Sequence, residues 1–196
     1  MLLVDGSALT VVICLIFKGV QDLDLVLAHQ EHTAVPAALA AARRCPKAEV
    51  LGVDESYQAV SSAETNAGNA GIEQCRFQAA DGLRAIEMVA SSNIDIILLD
   101  IRMPGMDGLQ VLEALKKNNP DIEVIVATAF GEMDLAIRAL QLDASDFITK
   151  PVSDEALTLA LKRAKDRYVS RKQLKDYTAL LEKEKAETSQ QLLKTI

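Results

Sequence analysis

The chain has 196 residues, of which 49% are hydrophobic and only 4% aromatic, and its formal net charge is −7. This composition favours an aliphatic core of the kind common in layered α/β proteins, and the acidity argues against general affinity for nucleic acids or anionic membranes. The long apolar stretch, Leu9 to Phe17, is too short to span a bilayer, and three widely spaced cysteines without a CxxC pattern predict reduced thiols in a cytoplasmic protein.

Residues 1–45 are the least regular part of the chain. Met1 to Asp5 and Leu23 to Ala28 read as strands, whereas Ala8 to Lys18 and Val35 to Arg44 read as helices. Leu3-Val4-Asp5-Gly6-Ser7 is similar to Val53-Asp54-Glu55-Ser56, which favours a partial duplication. The segment is nevertheless too short for a second complete copy. We therefore interpret residues 1–45 as an accessory α/β extension of unknown role.

Residues 46–152 alternate short apolar runs with amphipathic stretches, which predicts βα units and a parallel sheet. The predicted strands are Ala48–Val53, Cys75–Ala79, Ile94–Leu99, Glu123–Ala127 and Asp146–Thr149, and the predicted helices are Ser56–Ala70, Leu83–Ser91, Gly108–Lys117 and Glu132–Leu142. Five such units imply an α/β domain with a doubly wound, five-stranded parallel sheet, in which ligands bind beyond the carboxyl ends of the strands.

Residues 153–196 contain neither Gly nor Pro and predict one long helix with Ser153 as its N-cap. One face carries apolar side chains at helical spacing: Leu157, Leu161, Ala164 and Tyr168 first, then Leu174, Tyr177 and Leu181. A helix of this length cannot pack along its whole extent on a domain of this size. We therefore expect its outer part to project and to pair as a short coiled coil.

Polar residues follow four of the predicted strands at the edge where ligands are expected. They are Asp54 and Glu55 at one strand end, Asp100 at the end of a neighbouring strand, Thr128, and Lys150. Clustered carboxylates attract Mg²⁺, which takes oxygen ligands. A carboxylate that attacks a phosphoryl group needs such a cation beside it, together with an ammonium for the phosphoryl oxygens and a hydroxyl that senses them. The pattern predicts a site at which an aspartate is phosphorylated beside Mg²⁺.

Four motifs carry a resemblance to a known family: Val53-Asp54-Glu55, the run from Leu98 to Gly108 (LLDIRMPGMDG), Ala127-Thr128-Ala129, and Phe147-Ile148-Thr149-Lys150-Pro151. In order and spacing they resemble the receiver domain of two-component response regulators, and the resemblance covers residues 48 to about 166. It implies a flavodoxin-like fold. Two positions depart from the common pattern: Glu55 stands where Asp is common, and Asp143 stands where Gly is usual.

The resemblance also implies a role for each matching residue. Asp100 would be phosphorylated, and Mg²⁺ would be held by Asp54, Glu55, Asp100 and the backbone carbonyl of Arg102. Thr128 and Lys150 would bind the phosphoryl oxygens, Thr128 and Phe147 would form the conformational switch, and the peptide bond before Pro151 would be cis.

The functional hypothesis is a signalling switch that is not itself an enzyme beyond its own phosphorylation and dephosphorylation. A sensor histidine kinase or a phosphotransfer protein would phosphorylate Asp100, and a homodimer would form through the C-terminal helix, without nucleic acid or membrane partners. Two alternatives stay open. The chain could be the regulatory input half of a longer enzyme (a cyclic-dinucleotide enzyme, a phosphatase or a kinase), or a receiver that works as a scaffold without phosphorylation.

Overall fold

The computed structural model describes residues 15–18, 42, 49–54, 57–73, 75–80, 82–91, 94–102 and 107–194. The strands are β1 (Leu15–Lys18), β2 (Glu49–Asp54), β3 (Cys75–Ala79), β4 (Ile96–Asp100), β5 (Glu123–Thr128) and β6 (Asp146–Thr149). The helices are α1 (Tyr57–Asn69), α2 (Gly82–Ser91), α3 (Gly108–Asn118), α4 (Met133–Gln141) and α5 (Asp154–Lys194).

The strands form a mixed sheet in the order β3-β2-β1-β4-β5-β6. Two groups of strands are parallel, β2 with β3 and β4 with β5 and β6. Strand β1 lies between the two groups and pairs antiparallel with both β2 and β4. The sheet therefore consists of two parallel parts that are joined by one antiparallel strand.

The five strands and four helices predicted between residues 46 and 152 are all present, with boundaries that differ by no more than about two residues. The α/β class and its parallel strand pairs are thus confirmed. The prediction of one uninterrupted five-stranded parallel sheet is wrong, because β1 separates β2 from β4.

The helix predicted over Ala8 to Lys18 is also wrong at its end, since Leu15–Lys18 is a strand. A short run of consecutive apolar residues fits a strand as well as a helix, and periodicity alone does not distinguish them. The predicted strands Met1 to Asp5 and Leu23 to Ala28 lie outside the described residues. Within Val35 to Arg44 the structure describes Ala42, which is helical and buried.

Each face of the sheet is covered by helices, as alternation of side chains along the strands requires. One core layer packs α1 and α5 on the sheet and includes Val50, Ala67, Ile96, Leu98, Ile125, Leu157 and Leu161. The opposite layer packs α2, α3 and α4 and includes Val53, Val89, Ile97, Leu99, Leu112, Val126 and Ala139. Strands β4 and β5 are buried over their whole length, and they carry their last residues to the centre of one sheet edge.

Helix α5 has 41 residues and extends about 60 Å at roughly 1.5 Å per residue. Leu157, Leu161 and Ala164 are buried against the sheet, Tyr168 is partly buried, and residues 172–191 are exposed. The predicted projection is confirmed, and pairing as a coiled coil stays a prediction. In the part of the chain that the structure describes, no helix is long and apolar enough to cross a membrane.

Basic side chains at every fourth position of α5 bind acidic groups of the domain rather than facing solvent alone. Arg163 pairs with Asp146 at 3.0 Å and Arg167 pairs with Asp143 at 2.9 Å. Arg171 lies 3.7 Å from Glu123, and Lys175 contacts Asp121. We call these four contacts the α5 ion-pair row; they extend the attachment of the helix past its last buried apolar residue.

Candidate functional site

Asp100 is the last residue of β4, and its side chain is only 1% exposed. The Lys150 ammonium donates a hydrogen bond to Asp100 Oδ2, and the Arg102 backbone N–H donates to Oδ1 at 3.0 Å. Burial raises the pKa of the Asp100 carboxyl above the ordinary aspartate value, and the contacts with Lys150 and Arg102 oppose that rise. The site therefore contains a buried carboxylate whose charge depends on nearby cations.

The parallel pairing of β4, β5 and β6 explains why these groups meet. Asp100 is level with Ala127, and Thr128 is level with Thr149, so the three strands end at one edge of the sheet. The Lys150 N–H donates to the Thr128 carbonyl at 2.7 Å, which extends this alignment by one residue. Asp100, Thr128 and Lys150 thus lie at the edge that the sequence predicted.

Gly108 brings α3 directly against the backbone of Asp100. A Cβ at this position would lie 2.2 Å from the Asp100 carbonyl oxygen and 2.6 Å from Ile101 Cα. The Gly108 N–H donates to the Ile101 carbonyl at 2.9 Å, and Asp107 caps α3 by accepting from the Leu109 N–H at 3.0 Å. Glycine is required here by close approach of two backbone segments.

Glu132 is a site residue that the sequence analysis did not identify. Its Oε2 accepts hydrogen bonds from the Thr128 hydroxyl at 3.2 Å and from the Ala129 N–H at 3.1 Å. Its Oε1 accepts from Arg102 Nε at 2.7 Å. The hydrogen bond and ion pair with Arg102 lower the pKa of Glu132. In the sequence, Glu132 is an acidic residue four positions after Thr128. Acidic residues are also common at the start of a helix, so this position did not by itself indicate a role in the site.

The segment around β6 contains three features that the sequence comparison with the family singled out. The peptide bond between Lys150 and Pro151 is cis. Phe147 is partly buried and packs against the core layer beneath α3 and α4. Asp143, which stands at a position where Gly is usual, has φ 65°, a conformation that Asp tolerates better than most residues.

The structure does not bring the two acidic strand ends together as neighbours. Asp54 ends β2, and β1 lies between β2 and β4, so the backbones of these two strands are about 10 Å apart at roughly 4.8 Å per spacing. The expectation that Asp54 and Asp100 end adjacent strands is therefore wrong. Glu55 and residues 103–106 of the motif that follows Asp100 lie outside the described residues.

The donor groups at this edge suit Mg²⁺ in their chemistry, since they are carboxylate and carbonyl oxygens. The described residues contain no group of three or more His, Cys, Asp or Glu side chains arranged to hold a metal. Mg²⁺ keeps several waters and binds through one or two carboxylates. The Asp100 carboxylate and the Arg102 carbonyl at this edge are oxygen donors of that kind.

The model of the response regulator receiver domain matches residues 50–162, which is more than half of the chain. Sporulation initiation phosphotransferase F of Bacillus subtilis is 38% identical over 87 residues, which are 44% of this chain and 70% of that protein. The DNA-binding transcriptional regulator NtrC of Escherichia coli is 42% identical over 94 residues, or 47% of this chain and 20% of that protein. The chain thus spans most of one relative and a fifth of the other.

Among solved structures, NtrX from Brucella abortus in complex with ADP superposes with a TM-score of 0.52 at 27% identity. The match covers 65% of this chain and 29% of that chain. The similarity supports the receiver fold for the matched residues, and it covers less than a third of the NtrX chain.

Proposed function

Since the chain belongs to the response regulator receiver domain family, we propose that it works as a phosphoacceptor switch and that Asp100 is the residue phosphorylated. The observation that carries this proposal is the contact between the buried Asp100 carboxylate and the Lys150 ammonium at the carboxyl edge of the sheet. A nucleophile and a cation for its phosphoryl group are thereby held together before any phosphodonor binds.

The reaction proposed is transfer from a phosphohistidine of a sensor kinase or phosphotransfer protein. An Asp100 carboxylate oxygen attacks phosphorus, so a P–O bond forms while the P–N bond breaks. The imidazole nitrogen leaves with the bonding electron pair and takes up a proton from solvent. Lys150 stabilises the negative charge on the phosphoryl oxygens. The acyl phosphate is later hydrolysed, and the chain is proposed to catalyse no other reaction.

Mg²⁺ is the cofactor proposed for this transfer, and it would neutralise charge between the carboxylate and the phosphoryl oxygens. Asp100 and the Arg102 carbonyl would hold it, with Asp54 and Glu55 as the acidic pair on the β2 side. Burial raises the pKa of Asp100. The ionised form of Asp100, which is the nucleophile, is therefore favoured when a cation such as Mg²⁺ or the Lys150 ammonium lies beside it.

The proposed switch uses the ends of β5 and β6. A phosphoryl oxygen would accept a hydrogen bond from the Thr128 hydroxyl, and Phe147 on the adjacent strand would turn further inward. Phe147 is partly buried and level with Val126 of β5, so a movement of β5 reaches its ring directly. The change is a shift of population between two states, driven by contacts that exist only with the phosphoryl group.

The signal is proposed to leave through α5 to a second copy of the chain in the cytoplasm. Leu174, Tyr177 and Leu181 are exposed along its projecting part, which suits pairing of two such helices. Partners other than the kinase and the second copy, membrane surfaces included, are not part of the proposal. Direct binding of nucleic acid is not part of it either, although the relative NtrC is named as DNA-binding.

Incubation of the full chain with Mg²⁺ and a small-molecule phosphodonor, followed by mass spectrometry, tests this function. We expect one phosphoryl group on Asp100 in the wild type and none in Asp100→Asn. Asp134→Asn is the matched control, because it removes one carboxylate from an exposed position in the first turn of α4. Phosphorylation that persists in Asp100→Asn would disprove the assignment.

A second candidate is that this receiver is the regulatory input of a longer output enzyme. The relatives NtrC and NtrX are matched over 20% and 29% of their length, so domains of this family also occur within larger chains. In that case α5 would connect the switch to the output domain. The reading frame around the gene, and the mass of the protein isolated from its source, decide between the two.

A further inference from the structure

Glu132 immediately precedes α4, at the position where side chains usually cap a helix, but it forms no capping hydrogen bond with α4. Its side chain instead turns back to the end of β5, where one oxygen accepts from both the Thr128 hydroxyl and the Ala129 N–H. The side chain is 18% exposed. A carboxylate therefore occupies two converging donors beside Asp100.

We propose that Glu132 competes with the phosphoryl group for the Thr128 hydroxyl and the Ala129 N–H, and thereby stabilises the unphosphorylated state. This rests on the function proposed above. Both donors converge on one Glu132 oxygen, so an anion that takes the hydroxyl also lies against the N–H. A Glu132 oxygen and a phosphoryl oxygen cannot both occupy this position at once.

Charge makes the competition stronger than exclusion by volume alone. Glu132 and Asp100 are both carboxylates, and the Thr128 hydroxyl that contacts Glu132 ends the strand next to the one that carries Asp100. An acyl phosphate carries up to about two negative charges where the ionised Asp100 carboxylate carried one, which increases the repulsion across the same donors. Phosphorylation would therefore displace Glu132, and the displaced carboxylate in turn opposes phosphorylation by the same free energy.

Arg102 contacts both Asp100 and Glu132, so it can hold the Glu132 carboxylate after that carboxylate has been displaced. Its backbone N–H contacts Asp100, while its guanidinium contacts Glu132 at 2.7 Å. The Arg102 side chain is 69% exposed and can move outward with Glu132 once the phosphoryl group is present. The pair would then leave Thr128 free to follow the phosphoryl oxygens.

The test is the affinity of the full chain for beryllofluoride, a phosphoryl mimic, measured by ¹⁹F NMR in excess Mg²⁺. Glu132→Gln keeps the shape of the side chain and removes its charge. We expect Glu132→Gln to bind beryllofluoride at least about fivefold more tightly than the wild type. Asp134→Asn, the control that removes a nearby charge of α4, should bind like the wild type.

Equal affinity of Glu132→Gln and the wild type for beryllofluoride would overturn the proposal. A contact that is merely structural would lower the stability of the variant and leave this affinity unchanged. If wild type binds no beryllofluoride, or if Asp100→Asn binds it equally well, the proposed function fails and takes this inference with it. The two failures are therefore distinguishable.

A second measurement uses only the wild type and so does not depend on the folding of a variant. The Arg102 guanidinium, the Ala129 N–H and the Thr128 hydroxyl beside Glu132 hold the pKa of its carboxyl below the ordinary glutamate value, and ¹³C NMR of that carboxyl can follow this pKa. On addition of beryllofluoride and Mg²⁺ we expect it to rise towards the ordinary glutamate value. A pKa that stays low when the site is saturated would contradict displacement.

Discussion

Lys150 reaches Asp100 across an intervening strand: Asp100 ends β4, Lys150 follows β6, and β5 with Thr128 lies between them. The Lys150 side chain is 34% exposed, whereas the Asp100 side chain that it contacts is 1% exposed. The Lys150 end of the contact is therefore open to solvent, whereas the Asp100 end is shielded. Lys150 can thus contact the oxygens of a group that becomes attached to Asp100.

Replacement of Lys150 by Met should weaken binding of beryllofluoride by about tenfold to about a hundredfold, because a hydrogen bond to a charged group is worth about 1.5–3 kcal/mol. The affinity is measured by ¹⁹F NMR with Mg²⁺ in excess. Lys162→Met, at an exposed position of α5, is the control and should bind like the wild type. An equal loss of beryllofluoride affinity in the two variants would show that Lys150 has no specific contact with the phosphoryl mimic.

The pH dependence of stability should reveal the buried carboxylate. Burial raises the pKa of Asp100 in the folded state above its unfolded value of 3.8. Its contribution to stability is therefore greatest below pH 3.8 and is lost as the pH rises through the folded pKa. The free energy of unfolding of wild type relative to Asp100→Asn should fall as the pH increases above 3.8. Urea denaturation of both proteins across that range measures it, and a relative stability that increases with pH would contradict the assignment.

Two glycines in helices should respond oppositely to the same substitution. Gly108→Ala should lower the free energy of unfolding by about 1–3 kcal/mol or more, because the added Cβ would meet the Asp100 carbonyl. Gly68→Ala in α1 meets nothing within 4 Å, and it should raise that free energy by about 0.5–1 kcal/mol. Chemical denaturation tests both variants, and equal effects would show that the contact at Gly108 relaxes at little cost.

Glu123 should be needed to hold α5 on the domain. Its side chain is 0% exposed and lies 3.4 Å from Arg167 and 3.7 Å from Arg171. Glu123→Gln should lower the free energy of unfolding by about 1–3 kcal/mol, since two partly buried cations lose one of their two acidic partners and keep only Asp143. Asp166→Asn, at an exposed position of the same helix, should change it by less than about 0.5 kcal/mol. Similar losses in both would argue against a special role for the buried carboxylate.

The projecting part of α5 should mediate self-association. Leu181→Lys places a charge on the apolar seam and should weaken dimerisation by at least about tenfold, as measured by sedimentation. Ala179→Lys adds the same charge at an exposed position on the opposite side of the helix, and it should leave the dimer intact. A wild-type chain that stays monomeric at all accessible concentrations would disprove the coiled-coil prediction.

Parallel βα units are readable because apolar runs and amphipathic stretches differ in period. The positions of Asp100, Thr128 and Lys150 followed from that pattern alone, since strands that are parallel end at the same edge. The strand at Leu15–Lys18 did not follow from it. A strand of four residues is too short to show a period, and its hydrogen-bond partners are supplied by β2 and β4, which are distant in sequence.

The amino-acid sequence by itself determined the strands that carry the predicted site residues and the residue types at their ends, because both depend on local periodicity and connection length. Only the tertiary structure decided that β1 separates Asp54 from Asp100, that Glu132 turns away from its own helix towards Thr128, and that Arg171 reaches Glu123. These relations depend on which segments compete for the same hydrogen-bonding groups in space. Such competition joins residues that no local pattern connects.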